Sequence, residues 1–257
     1  MKVVVTGAAG FLGSELCRQA VERGDEVLAL QFSRRPPHGR ALELDVRDGA
    51  AVDRVFMRHG PDVVVHTAYV QAGEAMHATI VRGSHNVALA AARCDARLIH
   101  LSTDLVFDGD AGAPYSELDE PRPVLAYGGA KLEAEGLVLR AHPTATIVRT
   151  SLLYGKPDGP QERLAQRGDV TFYADEIRCP TRVDELAAAL LELADRDAAG
   201  PLHLAAPEAV SRLELARALG AREPKAAPAP PGRPRNVALD STRAARLLAT
   251  RLRGLRE

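Results

Sequence analysis

The chain has 257 residues, 46% of them apolar, with 33 basic side chains against 34 acidic ones and a net charge of −1. Such a chain can bury a full core, and its balanced charge offers no pull toward nucleic acid or an anionic membrane. No apolar run reaches the roughly 18–20 residues of a membrane helix, and Cys17, Cys94 and Cys179 lack metal-ligand spacing, so neither a membrane partner nor a metal is expected.

The N-terminus "MKVVVTGAAG" reads as a strand and a turn rather than a signal peptide. With scattered cysteines this points to a cytoplasmic protein. In chain order, "KVVVT" (2–6) predicts a strand and 11–23 a helix. Strands follow at 26–30 and 41–44, then a helix from about Asp48 to His59. "DVVVH" (62–66) precedes a long helix from about Glu74 to Cys94, and "RLIHLS" (97–102) precedes a loop and a helix beginning near Val124. "TATIVRT" (144–150) is the next strand. Apolar strands without alternation are buried on both faces, and their alternation with helices predicts an α/β fold, a doubly wound parallel sheet of the Rossmann type.

Beyond Ser151 the rhythm loosens. "VTFYAD" (170–175) is strand-like, 182–195 and 211–220 are helical, and 221–236 reads as a proline-rich surface connection. The expected organisation is a dinucleotide-binding domain over 1–152 and a small C-terminal substrate-binding cap over most of 153–257, with part of 170–195 returning to the Rossmann core.

"TGAAGFLG" joins the first strand to the first helix, with Gly7, Gly10 and Gly13 spaced GxxGxxG. Glycines there permit a tight turn and a close approach of backbone N–H groups to a pyrophosphate, beside the positive end of a helix. Where an NAD-selective site carries an acid for the ribose 2′-hydroxyl, this chain has Ser33, Arg34 and Arg35. Guanidinium beside hydroxyl suits a 2′-phosphate, so NADPH is expected over NADH. Asp45 and Val46 stand where an adenine is bracketed.

"YGGAK" (127–131) sets Tyr127 and Lys131 one helical turn apart across three small residues. A phenol exchanges protons poorly near neutral pH, and an adjacent ammonium makes it a usable general acid. The small residues leave room for a flat ring and a substrate. Thr103, in "LSTD", ends a strand where open α/β sheets bind ligands and can donate to a substrate carbonyl. Strand-end hydroxyl, tyrosine and lysine make a carbonyl-reducing set. His66 and His100 read as satisfied core histidines, and Asp104, Asp108 and Asp110 as turn residues rather than a cation site.

Glycine turn, Thr103, Tyr127 and Lys131 together resemble the extended short-chain dehydrogenases/reductases. "STDLVFDG" (102–109), "PYSELDEPRPVLAYGGAKLEAE" (114–135), "IVRTSLLYG" (147–155), "DEIRCPT" (175–181) and "RPRNVALD" (233–240) occur in the order seen in dTDP-4-dehydrorhamnose reductases. The chain is similar to that family over nearly its full length. The resemblance implies a catalytic triad of Thr103, Tyr127 and Lys131, with Tyr127 protonating a C4 oxygen as hydride arrives from NADPH and Lys131 also holding the nicotinamide ribose. It implies that Gly7, Gly10, Phe11 and Leu12 cradle phosphates and that Thr67, Ala68, Tyr69, Ser102 and Arg149 contact the cofactor. It places Asp104, Val106, Phe107 and Arg178 at a nucleotide-sugar substrate, with Arg178 and Arg233 or Arg235 facing its diphosphate. A homodimer is left open.

The chain departs from the family pattern at Leu105, at Ile80 in place of the superfamily's helix asparagine, and in "YVQAGEAMH" (69–77). Two other readings therefore stand beside the keto-sugar reductase: a reductase of another small ketone, and a non-catalytic NADP-binding subunit of the kind that regulates methionine adenosyltransferase. A dehydratase is disfavoured because Leu105 supplies no acid after Asp104.

Overall fold

Seven strands form one sheet in the computed structural model, which describes residues 1–256. In chain order they are β1 (Lys2–Thr6), β2 (Glu26–Gln31), β3 (Arg40–Glu43), β4 (Val63–His66), β5 (Arg97–Thr103), β6 (Thr146–Thr150) and a late strand, Gly200–His203. Their spatial order is late strand, β6, β5, β4, β1, β2, β3. β1 pairs in parallel with both β2 and β4, so the strand order reverses at β1, the switch point where doubly wound sheets bind ligands. The doubly wound parallel sheet is the expected one. Only the late strand escapes the sequence reading: "GPLH" is four residues long and opens on Gly-Pro.

Two compact units make up the protein. The first comprises Met1–Ser102, Ala130–Val148 and Ala187–Pro201. The second comprises Thr103–Gly129, Arg149–Leu186 and the chain from Leu202 onward.

In the first unit, Val4, Leu28, Val64 and Ile147 of the sheet pack against Val52 and Phe56 of helix α2 (Gly49–His59) and Val87 and Ala91 of a later helix. Phe56 is fully buried, and deleting such a ring costs about 3–5 kcal/mol. α2 starts where Asp48 accepts from the Ala51 N–H at 3.0 Å and stops at Gly60 in the left-handed region. The single helix expected over 74–94 is present without a gap from Ala75 to Arg93, but it widens into a π turn along its length. It consists of α3 (Ala75–His77), a π turn (Ala78–Arg82) and α4 (Gly83–Arg93). The Ser84 hydroxyl donates to the Ile80 carbonyl, the acceptor that an α-ladder reserves for the Ser84 N–H, and the backbone widens around that competition.

Helix α5 (Ala126–Ala141) starts two residues after the expected Val124. The second unit is built of short pieces. Leu153–Tyr154 pairs with Thr181–Arg182, Ile177–Arg178 with Val210–Ser211, and Thr171–Tyr173 with Lys225–Ala227. This last pair places a strand inside the stretch expected to be a bare proline-rich connection. Helices α6 (Pro160–Ala165), α7 (Val183–Leu193), α8 (Arg212–Ala218) and α9 (Thr242–Leu247) complete the chain. Phe172 packs with Ala165, Leu213 and Ala216 in a small core. Among the described residues no helix is long and apolar enough to cross a membrane.

Candidate active site

Beyond the C-terminal ends of β1, β2, β3 and β4 the first unit opens a cavity of about 300 Å³. Thr6, Gly7 and Gly10 form one wall, Phe32, Ser33 and Arg34 another, Asp45, Val46 and Arg47 a third, and Thr67, Ala68 and Tyr69 the fourth. Gly7 adopts φ +66°, and a Cβ there would come within 2.8 Å of the Ala68 Cα. At Gly13 a Cβ would fall on the Gly7 carbonyl oxygen. The turn is therefore as bare as backbone can be. Helix α1 (Phe11–Glu22) rises directly from it with Gly10 as its N-cap, with no side-chain cap and no acid in its first turn. Its leading N–H groups thus keep their capacity for an outside anion.

Arg34 lies along this cavity and donates from Nη2 to the Ala9 carbonyl at 3.2 Å. Arg35 is exposed and does not line it. Phe11 is half-buried and Leu12 buried at the start of α1. Two lining residues went unnoticed in the sequence. Arg47 pairs with Asp45 at 2.6 Å, holding that carboxyl below the usual range, and its guanidinium stands 5.4 Å from the centre of the exposed Phe32 ring. Neither belongs to a motif.

A buried hydrogen-bond chain braces the wall. Ser84 gives its proton to Ile80, so its oxygen accepts from Nε2 of His66 at 3.0 Å. Nδ1 of His66 then accepts from the Thr6 hydroxyl at 2.7 Å, whose oxygen in turn accepts the N–H groups of Thr67 and Ala68, each at 3.2 Å. Neutral His66 thereby links the glycine turn, the Thr67–Ala68 wall and the π turn. Burial, aided by Lys131, lowers its pKa to about 3. His100 stacks on it with ring centres 5.3 Å apart. His66 is satisfied as the sequence suggested. His100 is not, for neither of its ring nitrogens has a hydrogen-bond partner among the described residues.

Lys131 stands beside this pair, 4% exposed, donating from Nζ to the Leu101 carbonyl at 2.8 Å and lying 5.4 Å from the centre of the Tyr69 ring. Burial pulls its pKa down to about 8 against the opposing pull of Glu135. Ser102 donates to Glu135, one turn further along α5. Tyr127, half-buried, lies one turn before Lys131 on the same helix.

In the second unit Asp104 is a fully buried hub. Its carboxylate accepts from Thr103 Oγ1 at 3.1 Å, Ser151 Oγ at 2.5 Å, and Arg178 Nε and Nη2 at 2.7 and 2.5 Å. Burial opposes the charge of Arg178, but Asp104, Glu176 and Tyr127 outweigh it and raise its pKa. Val106 and Phe107 are wholly interior, and the buried Arg149 guanidinium sits 5.3 Å from the centre of the Phe107 ring. Asp104, Val106, Phe107 and Arg178, placed by resemblance at the substrate, are thus interior residues here. Asp108 accepts from the Tyr115 hydroxyl at 2.5 Å and from the Asp110 N–H at 3.1 Å, as turn residues do. Among the described residues no group of three or more His, Cys, Asp and Glu gathers as a metal would need.

A glycine-turn cavity at the switch point of a doubly wound sheet, with a buried lysine one turn after a tyrosine, defines an oxidoreductase of the extended short-chain dehydrogenase/reductase class. The chain belongs to the family described as RmlD substrate binding domain, whose model matches residues 1–257. It is 40% identical over 235 residues to dTDP-4-dehydrorhamnose reductase of Mycobacterium tuberculosis, covering 85% of this chain and 74% of that one. To the Mycolicibacterium smegmatis enzyme of the same name it is 37% identical, covering 100% of this chain and 83% of the other. A solved structure described as a hypothetical dTDP-4-dehydrorhamnose reductase from Sulfolobus tokodaii matches with a TM-score of 0.85 at 29% identity, covering 97% and 96% of the two chains.

Proposed function

We propose that the chain is an NADPH-dependent reductase of a keto group on a nucleotide-linked sugar, of the dTDP-4-dehydrorhamnose kind, with Tyr127 as general acid. The observation that carries this is Lys131: a buried ammonium one turn from a half-buried phenol, on a helix whose intervening residues are small. The names of the relatives supply the substrate class.

The residues fit a dinucleotide, because side chains at Gly7 or Gly13 would collide with the backbone that shapes the turn and the start of α1 keeps its N–H groups open. Gly7, Gly10, Phe11 and Leu12 would hold its phosphates, Arg34 its 2′-phosphate, Asp45 and Val46 its adenine, and Thr67, Ala68, Tyr69, Ser102 and Arg149 the remainder. When bound, NADPH supplies the hydride. Tyr127 holds a proton at Oη for the substrate oxygen, and the Lys131 ammonium stabilises the phenolate left behind. Thr103 orients the carbonyl through its hydroxyl, exchanging its bond to Asp104 for one to the substrate. Asp104 and Arg178 brace Thr103.

The test is NADPH oxidation, followed by its near-ultraviolet absorbance with NADH in parallel, against nucleotide-linked 4-keto sugars and simple ketones. Reduction of a keto sugar that falls about 10²–10⁴-fold in Tyr127→Phe while NADPH still binds is the expected result. A Tyr127→Phe protein indistinguishable from wild type overturns the catalytic reading and leaves the NADP-binding subunit.

A further inference from the structure

Lys131 carries its charge into the interior of the first unit, and few groups there answer it. An ammonium has three N–H donors and no acceptor. The Leu101 carbonyl takes one of them at 2.8 Å. From β4 and β5 the titratable neighbours are His66 and His100, both fully buried and kept neutral by burial. Neither accepts from the ammonium. Both ring nitrogens of His66 are committed to Thr6 and Ser84, and those of His100 have no hydrogen-bond partner among the described residues. On α5 itself the buried Glu135 carboxylate, one turn further on, accepts from Ser102, and Tyr127 lies one turn before. Where the superfamily carries its helix asparagine stands Ile80, fully buried and apolar, its carbonyl taken by the Ser84 hydroxyl.

A further group faces the charge. The ring of Tyr69, just beyond β4, has its centre 5.4 Å from Nζ of Lys131. That is inside the roughly 6 Å over which an aromatic face attracts a cation. The ring is 52% exposed, so burial of its own surface gives it little reason to lie there. Its partner is the reverse case, an ammonium 4% exposed and cut off from water. Attraction to a ring face is strongest when the cation is desolvated in this way.

We propose that Tyr69 is a positioning residue for Lys131: its ring face and the Leu101 carbonyl together hold the ammonium charged and in place at the start of α5. The ring thereby supplies an anchor that Ile80 does not. It favours ammonium over amine, and so opposes the burial that pulls the lysine down to about 8. The contact needs no ligand; its bearing on turnover rests on the reductase reading.

The test is a direct titration of Lys131. The chain has only four lysines, Lys2, Lys131, Lys156 and Lys225. With ¹³C placed at lysine Cε, each titrates separately by NMR, and Lys131→Met assigns the signal. Tyr69→Phe keeps the ring face, and Tyr69→Leu removes it. Lys131 should titrate alike in wild type and Tyr69→Phe, and about half a unit to one unit lower in Tyr69→Leu. In a working reductase the alkaline limb of kcat moves down with it in Tyr69→Leu, because the uncharged amine cannot support a phenolate. An unchanged or raised value in Tyr69→Leu overturns the proposal. So does an equal fall in Tyr69→Phe, which would trace the effect to the hydroxyl. The titration uses no substrate, so the two readings fail separately. A fall confined to Tyr69→Leu in a protein that reduces no keto sugar sinks the reductase and keeps the contact. An active reductase whose Lys131 titrates without regard to the ring does the reverse.

Discussion

Replacing Lys131 by methionine tests whether a charge is held inside the first unit at a cost. The ammonium is 4% exposed, and burial, opposed by Glu135, lowers its pKa from 10.5 to about 8. In the unfolded chain the lysine keeps its proton up to about pH 10.5. Between pH 8 and 10.5 the unfolded state therefore binds more protons, and stability rises with pH. At 1.36 kcal/mol per pH unit, the folded protein carries a penalty of about 3 kcal/mol below pH 8 that is relieved by pH 10.5. Methionine keeps the aliphatic stem, removes the charge, and forfeits the hydrogen bond to Leu101, worth about 1 kcal/mol. Lys131→Met should thus be about 2 kcal/mol more stable than wild type at neutral pH and about 1 kcal/mol less stable above pH 10.5. Urea unfolding of both proteins across that range, followed by far-ultraviolet circular dichroism, measures the difference. A difference that stays flat with pH, or that favours the variant more strongly as pH rises, refutes the reasoning. If the ammonium serves the phenol as proposed, the same variant should lose turnover while gaining stability at neutral pH.

Asp104→Asn removes the carboxylate onto which the buried Arg178 guanidinium forks, leaving it only Glu176 at 3.6 Å, and should cost about 3 kcal/mol in urea unfolding; a loss near zero would contradict a closed pair. Arg34→Ala should weaken NADPH about tenfold or more and leave NADH unaffected in fluorescence titrations, as expected of a single charge-assisted phosphate contact. His66 is buried neutral with its pKa lowered from 6.5 to about 3, so its contribution is present above pH 6.5 and lost as pH falls toward 3. By linkage that loss is about 4–5 kcal/mol, and acid unfolding should flatten over this window in His66→Gln.

The strands were legible because β1, β2 and β4 are interior runs of valine and leucine, a pattern that does not depend on distant partners. The glycine turn was legible because backbone proximity demands glycine at fixed spacing. The π turn was not, since Ser84 in a helical pattern carries no sign of which carbonyl its hydroxyl will take. The resemblance placed Asp104 at the substrate; the four donors that surround its carboxylate, among them the Thr103 hydroxyl, could be read only from the fold.

The small residues of "YGGAK" show how one sequence signal divides into two physical causes. The sequence suggested that all three leave room for ligands. Gly128 is buried, and a Cβ there would fall on the Leu105 carbonyl oxygen, in the short 3₁₀ turn that follows Thr103. Its bareness therefore seats that turn against the start of α5 and sets Thr103 relative to Tyr127 within the second unit. Gly129 has nothing within 4 Å of where its Cβ would be, so only there does the backbone keep open space. The two positions should part under the same substitution. Gly128→Ala drives a methyl into backbone that cannot yield, and about 1–3 kcal/mol of stability should go with turnover. Gly129→Ala replaces a poor helix former in open space and should raise stability by up to about 1 kcal/mol. If Gly129 makes room for a substrate, KM rises in that more stable protein. Thermal unfolding and steady-state kinetics on the pair decide the matter: a Gly128→Ala protein of wild-type stability would remove the docking argument, and a Gly129→Ala protein with unchanged KM would remove the ligand argument.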